Sequence, residues 1–483
     1  MHQDGTYLST YKERMIEIMK KINPDWKRKD IEKELSKMID DRCQIPVCTL
    51  DNNYTGETRE TNLLSVLDWA MDEKPILTGN MTYYKNQDQA INPIATMLKD
   101  KLAERKALKK KMYQYVDNKA MYDALDRAQG NVKRLVNSYY GASGMPSSKF
   151  YSKWSGPATT SSAQEVISSC EQLFEGYVAD NYDFINLTEC MEWCTTALSD
   201  FDYLDDFIQL QSIPTLEERL YDKILNHEDN DMEILDDFLS NLSDDEITFL
   251  YYKNNMIEFI DNHKLIQDII YDVFANVINL DYINEKDDYW YSNIPDEYKD
   301  KFNGKTAKDY NKFVNVMYFM DPNDPPKNII EYLDELNVYM MKYVFVNYLS
   351  FDRIYRLRNF KRKCVTVIDT DSNILSIDTI VNYIFDNIVK GETFGRKFIN
   401  NEFIVVNMMT FLITAAVKTI LYTYSCKANI CEDYRELLAM KSEFFFKKLV
   451  IGKTKKRYIS KITLREGTYI NPPKYDIKGF NPK

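Results

Sequence analysis

The sequence predicts an α/β (α+β) chain: a small sheet, a cationic helical arm and a large, mostly helical, acidic insertion. Three observations carry that expectation. Charged and apolar residues recur at helical spacing over long stretches, one short run reads as a hairpin with acids at its tip, and a C-terminal stretch alternates like paired strands. With 483 residues, 44% of them hydrophobic and 13% aromatic, the chain has enough apolar surface for two to four domains with cores.

Taken in order, residues 1–58 begin with a helical pattern, clearest in "RKDIEKELSKMID", that breaks at the polar, turn-rich "DNNYTGETRETN". Residues 59–144 hold a short extended unit, "ILTGNMTYYKN", then a helix from about Pro93 to Tyr115. A second helix runs through "LDRAQGNVKRLVNSYYG" and is expected to stop at Gly141. Residues 145–180 read as a loop and a further helix. From 181 to 358 the helices turn acidic, as in "MEILDDFLSNL", with a break at "DPNDPPKN", and this stretch reads as an insertion. Residues 359–483 hold the hairpin "KCVTVIDTDSNILSI", two or more helices, and the alternating "LVIGKTKKRYISKITL".

The charge is unevenly divided. Residues 201–300 carry 26 Asp and Glu against 6 Lys and Arg, whereas the whole chain is −12, so the remainder is basic. An acidic total therefore leaves room for a nucleic-acid partner, because phosphate contacts depend on where the cations sit. The 8 cysteines match no zinc spacing and only 3 histidines accompany them, which argues against structural zinc and suits a reducing cytoplasm. No secretory signal opens the chain, and the apolar run Phe403 to Tyr424, interrupted by Asn407 and Lys418, reads as a buried core helix rather than a membrane span.

Four motifs carry chemistry. In "VIDTDS", Asp369 and Asp371 flank Thr370, and a tight turn there lets both carboxylates approach one point. Two acids held together repel unless a divalent cation neutralises them, and Mg²⁺, an oxygen-seeking ion, suits that role. A solvated turn would leave the same trace. In "KRLVNSYYG", Lys133, Asn137 and Tyr140 fall on one helical stripe, able to meet a triphosphate and a base pair, or simply the outer face of an amphipathic helix. Lys101, Arg105 and Lys109 repeat every fourth residue on the preceding helix, as a phosphate-binding row or a solvated face. In "KTKKRY", Lys455, Lys456 and Arg457 precede Tyr458, a pattern for a nucleic-acid backbone or for a lysine-protected edge strand.

The order and content of these motifs resemble the family B DNA polymerases. "KRLVNSYYG" resembles that family's fingers helix, "DTDS" its palm hairpin and "KKRY" its primer-gripping motif. "NMTYYKNQDQAINPI", "ERKALKKKM" and "GKTKKRYISKITLREGTYINPPKYDIKGF" are similar to the T-even-phage type. The resemblance covers residues 43–175 and 360–483 and implies a palm sheet with helical fingers, split by the acidic insertion. It implies two-metal phosphoryl transfer from deoxynucleoside triphosphates to a primer 3′-hydroxyl, with Mg²⁺, or Mn²⁺ as a substitute, held by Asp371 and, as an accessory, Asp369. Lys133, Arg105 and Lys109 would meet the triphosphate, Asn137 and Tyr140 the nascent base pair. Lys456, Tyr458 and Arg457 would hold the primer. Glu443 stands where the family often has another acid, or is a surface glutamate.

The family's first palm motif, Asp-x-x-Ser-Leu-Tyr-Pro-Ser, is absent as such. The corresponding stretch, "DDRCQIPV", has Asp40 in the acid's place, Ile45 for the tyrosine and Pro46 retained, yet the residues before Asp40 read as helix. Nothing resembles the exonuclease, and the chain stops where a thumb would begin. The expectation is therefore one segment of a split phage polymerase, working in the cytoplasm of an infected bacterium. Its partners would be primer-template DNA, deoxynucleoside triphosphates and chains carrying the exonuclease and thumb, with no membrane. The rival is a non-catalytic polymerase-like scaffold of a replication complex.

Overall fold

The computed structural model describes residues 13–479 except 14, 18, 21–22, 43–46, 53–54, 91, 116–117, 202–215, 279, 320, 346–360, 370–371, 391–401, 455 and 466. Helix α1, Arg28–Arg42, buries Ile31 and Leu35 against Ile16 in a small cluster of their own. An exposed hairpin follows, β1 Val47–Asp51 paired antiparallel with β2 Thr58–Asn62. The Asn62 side chain then accepts the Ser65 amide and starts helix α2, Leu63–Glu73. The short extended unit is the pair β3 Ile76–Leu77 and β4 Tyr83–Tyr84.

Two long antiparallel helices form the cationic arm. In α3, Pro93–Gln114, the Asn92 side chain accepts the amides of Ile94 and Ala95, and Pro93 occupies the first helical turn, where its missing amide costs nothing. In α4, Lys119–Gly144, the Asn118 side chain caps the Met121 amide. The expected stop at Gly141 is corrected: α4 continues to Gly144. Gly141 has no positive φ, and a Cβ there would meet nothing within 4 Å, so this glycine neither bends nor crowds the helix.

Helix α5, Ser155–Leu173, passes directly into one π-helical turn, Phe174–Val178. It packs against α4 on one side and the hairpin strand β6, Ser372–Leu375, on another. That strand pairs with β5, Val365–Asp369, with a bulge between Val365 and Val367, and Asp369 faces Ser372.

The acidic insertion folds as short helices, two of them opened by reciprocal caps: Ser243 with Glu246, and Thr306 with Asp309. Its Phe238, Phe249, Phe274, Tyr310 and Leu333 join one continuous core with Cys364 and Val365 of the hairpin and Leu464 near the C-terminus. The apolar run forms helix α6, Glu402–Lys427, and it is a core helix as expected. It is the one described helix long and apolar enough to cross a membrane, and it lies mostly inside the core. Asn407, which interrupts the run, is buried and donates its amide to the Phe319 carbonyl.

The alternating C-terminal stretch is a three-stranded antiparallel sheet, β7 Phe444–Ile451, β8 Tyr458–Arg465 and β9 Thr468–Lys478, with β8 central. Phe403 of α6 makes edge-on ring contacts with Phe445 and Tyr469, seating the sheet on the core helix. The insertion also touches this sheet: Asn323 donates to the Ser442 carbonyl at 3.3 Å, and Asp321 lies against Gly467 in the β8–β9 turn.

Candidate nucleic-acid and metal site

Asp369 ends β5 and reaches the turn between β7 and β8. There the ammonium of Lys456 lies 3.2 Å from Asp369 Oδ1, with both side chains open to solvent. The turn is tightly built. The Gly452 amide donates to the Arg457 carbonyl at 2.8 Å, Lys456 has φ of 60°, and Gly479, φ 70°, packs where a Cβ would sit 2.5 Å from the Lys456 carbonyl. Two motifs far apart in sequence, "DTDS" and "KKRY", are thus brought into contact. Arg457 is exposed and Tyr458, half-buried, pairs with Ile451 and Lys478 at the start of β8. Asp371 and Lys455 lie outside the described residues. Among the described residues no group of three or more His, Cys, Asp or Glu could hold a metal ion.

Lys133, Asn137 and Tyr140 lie exposed on α4, and the Tyr140 hydroxyl bonds with that of Thr160 on α5 at 2.8 Å. On α3, Arg105 and Lys109 are half-buried; Arg105 Nε donates to Gln129 Oε1 on α4 at 3.2 Å, and Gln129 in turn donates to Asp126 at 2.9 Å. The arginine therefore ties the two helices at one level. Helix α5 is the element between arm and hairpin, touching both. Glu443 is exposed, one residue before β7. Asp40 belongs to α1, a helix as its neighbours predict rather than a strand, and Ile45 and Pro46 lie outside the described residues.

Beneath the hairpin sits a feature that sequence reading missed. Glu175, on the π-helical turn, is almost fully buried. Its Oε1 accepts the backbone amides of Cys364 at 2.9 Å and Val365 at 2.6 Å; its Oε2 accepts the Lys363 amide at 2.9 Å and the Asn181 side-chain amide at 2.6 Å. One turn earlier, buried Glu171 lies 3.6 Å from Arg362 Nε. Burial pushes the Glu171 carboxyl up to about 7, with Arg362 pulling it down and Glu175 pushing it further up. The Cys364 thiol is pushed up to about 12, mainly by burial.

Further up α5, Glu165 accepts the Tyr424 hydroxyl of α6 at 3.1 Å, and a Cβ on Gly79 would collide with it. Burial raises the Glu165 carboxyl above its usual range while that hydroxyl lowers it. The Ser162 hydroxyl accepts the Gly79 amide at 3.2 Å. These contacts fasten the loop before the arm, α5 and the core helix to one another. The only sequence trace of Glu165, Glu171 and Glu175 is a row of acids in an otherwise apolar and small-residue stretch.

A family model described as "Divergent Family B DNA polymerase" matches residues 3–482. No curated protein and no solved structure matches the chain.

Proposed function

Because the chain belongs to the divergent family B DNA polymerases, we propose that it adds deoxynucleotides to a primer 3′-hydroxyl by phosphoryl transfer. The observation that carries this reading is the Lys456 to Asp369 contact, which joins the acid hairpin to a cation suited to a primer phosphate. Asp369 offers carboxylate oxygens of the kind a hard cation takes, and Lys456, which now pairs with one of them, would have to turn away toward a phosphate for an ion to bind there. Asp369 and Asp371 would hold Mg²⁺, or Mn²⁺ in its place. Bound there, such ions supply charge neutralisation at the attacking oxygen and the pyrophosphate. Lys133, Arg105 and Lys109 would hold the triphosphate, Asn137 and Tyr140 would press on the new base pair, and Lys456, Arg457 and Tyr458 would fix the primer strand. Orientation and fixed positive charge are the protein's main contributions in such a transfer.

The third carboxylate of the site would be Asp40 or come from a partner chain. A second reading, a non-catalytic scaffold, draws on Asp40 standing in a helix where the family would have a palm strand. Primer extension separates the two. The chain is assayed alone and mixed with the products of neighbouring reading frames, beside Asp371→Ala and Asp369→Ala. Extension by the wild type or the mixture that falls by at least about a hundredfold in Asp371→Ala supports catalysis here. Extension that survives the substitution sinks the site, and DNA binding without extension in any mixture favours the scaffold.

A further inference from the structure

We propose that Glu175 is a positioning residue for the acid hairpin, holding the root of β5 so that Asp369 is presented at a fixed place. This rests on the polymerase reading above.

Among the described residues, β5 has a strand partner on one side, β6. The chain bends into β5 at Lys363 and Cys364, and without an acceptor the amides of the buried Cys364 and Val365 would go unsatisfied, which is costly. The Glu175 carboxylate fills that gap. It accepts three successive amides, of Lys363, Cys364 and Val365, which the bend at Lys363 and Cys364 turns toward one point, and its fourth bond, from Asn181, steadies Oε2. Asn181 also donates to the Lys361 carbonyl at 3.1 Å, so the same amide grips the chain entering the hairpin. The opposite strand is closed by the Ser376 amide on the Cys364 carbonyl at 2.8 Å.

The placement of Glu175 depends on the π-helical turn. The wider turn at Phe174–Val178 departs from the α-helical register just where α5 ends, and such turns recur at functional positions. From Val365 to Asp369 the strand climbs about 13 Å, at roughly 3.3 Å per residue, so Glu175 is too remote to touch metal or substrate. It acts through the backbone, as a fulcrum: a small tilt at the root is carried to the tip, and misplacement of about 1 Å at a reacting centre can cost about a hundredfold in rate.

The test compares Glu175→Gln, Glu175→Asp and Asn181→Ala with wild type. Glutamine keeps the shape but turns an NH₂ toward amide donors. Aspartate keeps the charge but withdraws it by one methylene. The expected result is a kcat for primer extension lowered roughly ten- to a hundredfold in Glu175→Gln, less in Asn181→Ala, with the KM for deoxynucleotide and the affinity for primer-template within about twofold of wild type. Hydrogen exchange gives a reading independent of activity. The amides of residues 363–365 should exchange at least about tenfold faster in Glu175→Gln while those of α6 keep their protection. Wild-type exchange there, or wild-type kcat in an active enzyme, overturns the proposal. Equal losses in kcat, DNA affinity and α6 protection also overturn it, by showing a general structural role, and Asn181→Ala and Glu175→Asp supply the same comparison if Glu175→Gln does not fold. If no wild-type extension is found in any mixture, the polymerase reading fails on its own, and the exchange arm still decides whether Glu175 pins the hairpin.

Discussion

Replacing Lys456 by alanine should separate what holds the protein together from what it does. The ion pair with Asp369 spans 3.2 Å, with 77% of the lysine side chain and 45% of the aspartate side chain exposed. In a water-like medium two unit charges at that distance attract by about 1 kcal/mol, and ordering a long lysine takes back much of it. Exposed pairs of this kind contribute between 0 and about 1 kcal/mol. For a chain this large that is a shift in Tm of at most about 2 °C. Function should respond far more. Losing one phosphate contact should flatten the dependence of log affinity on log salt by about 0.9 for duplex DNA, and extension should slow by at least about tenfold. Thermal melting, a salt series of primer-template binding and single-turnover extension, run on one preparation, measure all three. A variant that melts many degrees lower yet binds and extends normally would refute the reasoning, by making Lys456 a structural tie.

Two further outcomes concern stability. Glu171, with its carboxyl raised to about 7 by burial, holds a proton in the folded protein that the unfolded chain releases near its ordinary value; folded stability should therefore fall as pH rises from about 4.5 to 7 and level off above. The ceiling is roughly 3 kcal/mol, and urea midpoints of Glu171→Gln should lack that decline; an unchanged slope would refute it. Gly467→Ala should cost about 1–3 kcal/mol, because φ is 72° and the new Cβ would lie 2.7 Å from that of Asp321. Gly304→Ala, at φ 71° in open space, should cost only about 1 kcal/mol, and equal urea midpoints for the two would remove the insertion from the sheet's support.

What the sequence showed plainly is what local patterns encode. Asn92 before Pro93, and Asn118 before the next apolar stripe, mark helix starts by the amides they cap. The run around Asn407 is too apolar for any surface, and the alternation after Leu449 needs a sheet. The hairpin acids and the lysine that meets Asp369 were both visible as motifs, although nothing local stated that they touch. Gly141 misled because glycine weakens a helix without ending it unless the backbone must turn or a neighbour must approach. Glu175 was illegible for a different reason. Its partners are backbone amides 188 to 190 residues away in sequence, and every residue but proline carries such an amide, so no side-chain pattern records the contact.

The acidic insertion has two electrostatic roles in one element. Part of its charge works locally: Asp244, Asp245 and Glu246, and likewise Asp309, stand in first helical turns, where they offset the positive end of the helix. The apolar faces of these helices join the core that also buries Cys364 and Val365, so the insertion backs the hairpin root rather than hanging from it. Its outward charge repels a polyanion. If the chain works on DNA as proposed, a nucleic acid approaching it would be drawn to the cationic arm and the β7–β8 turn. On that proposal a stretch unsuited to touching DNA would help decide where DNA lies, and cutting its outward charge should broaden binding without strengthening extension.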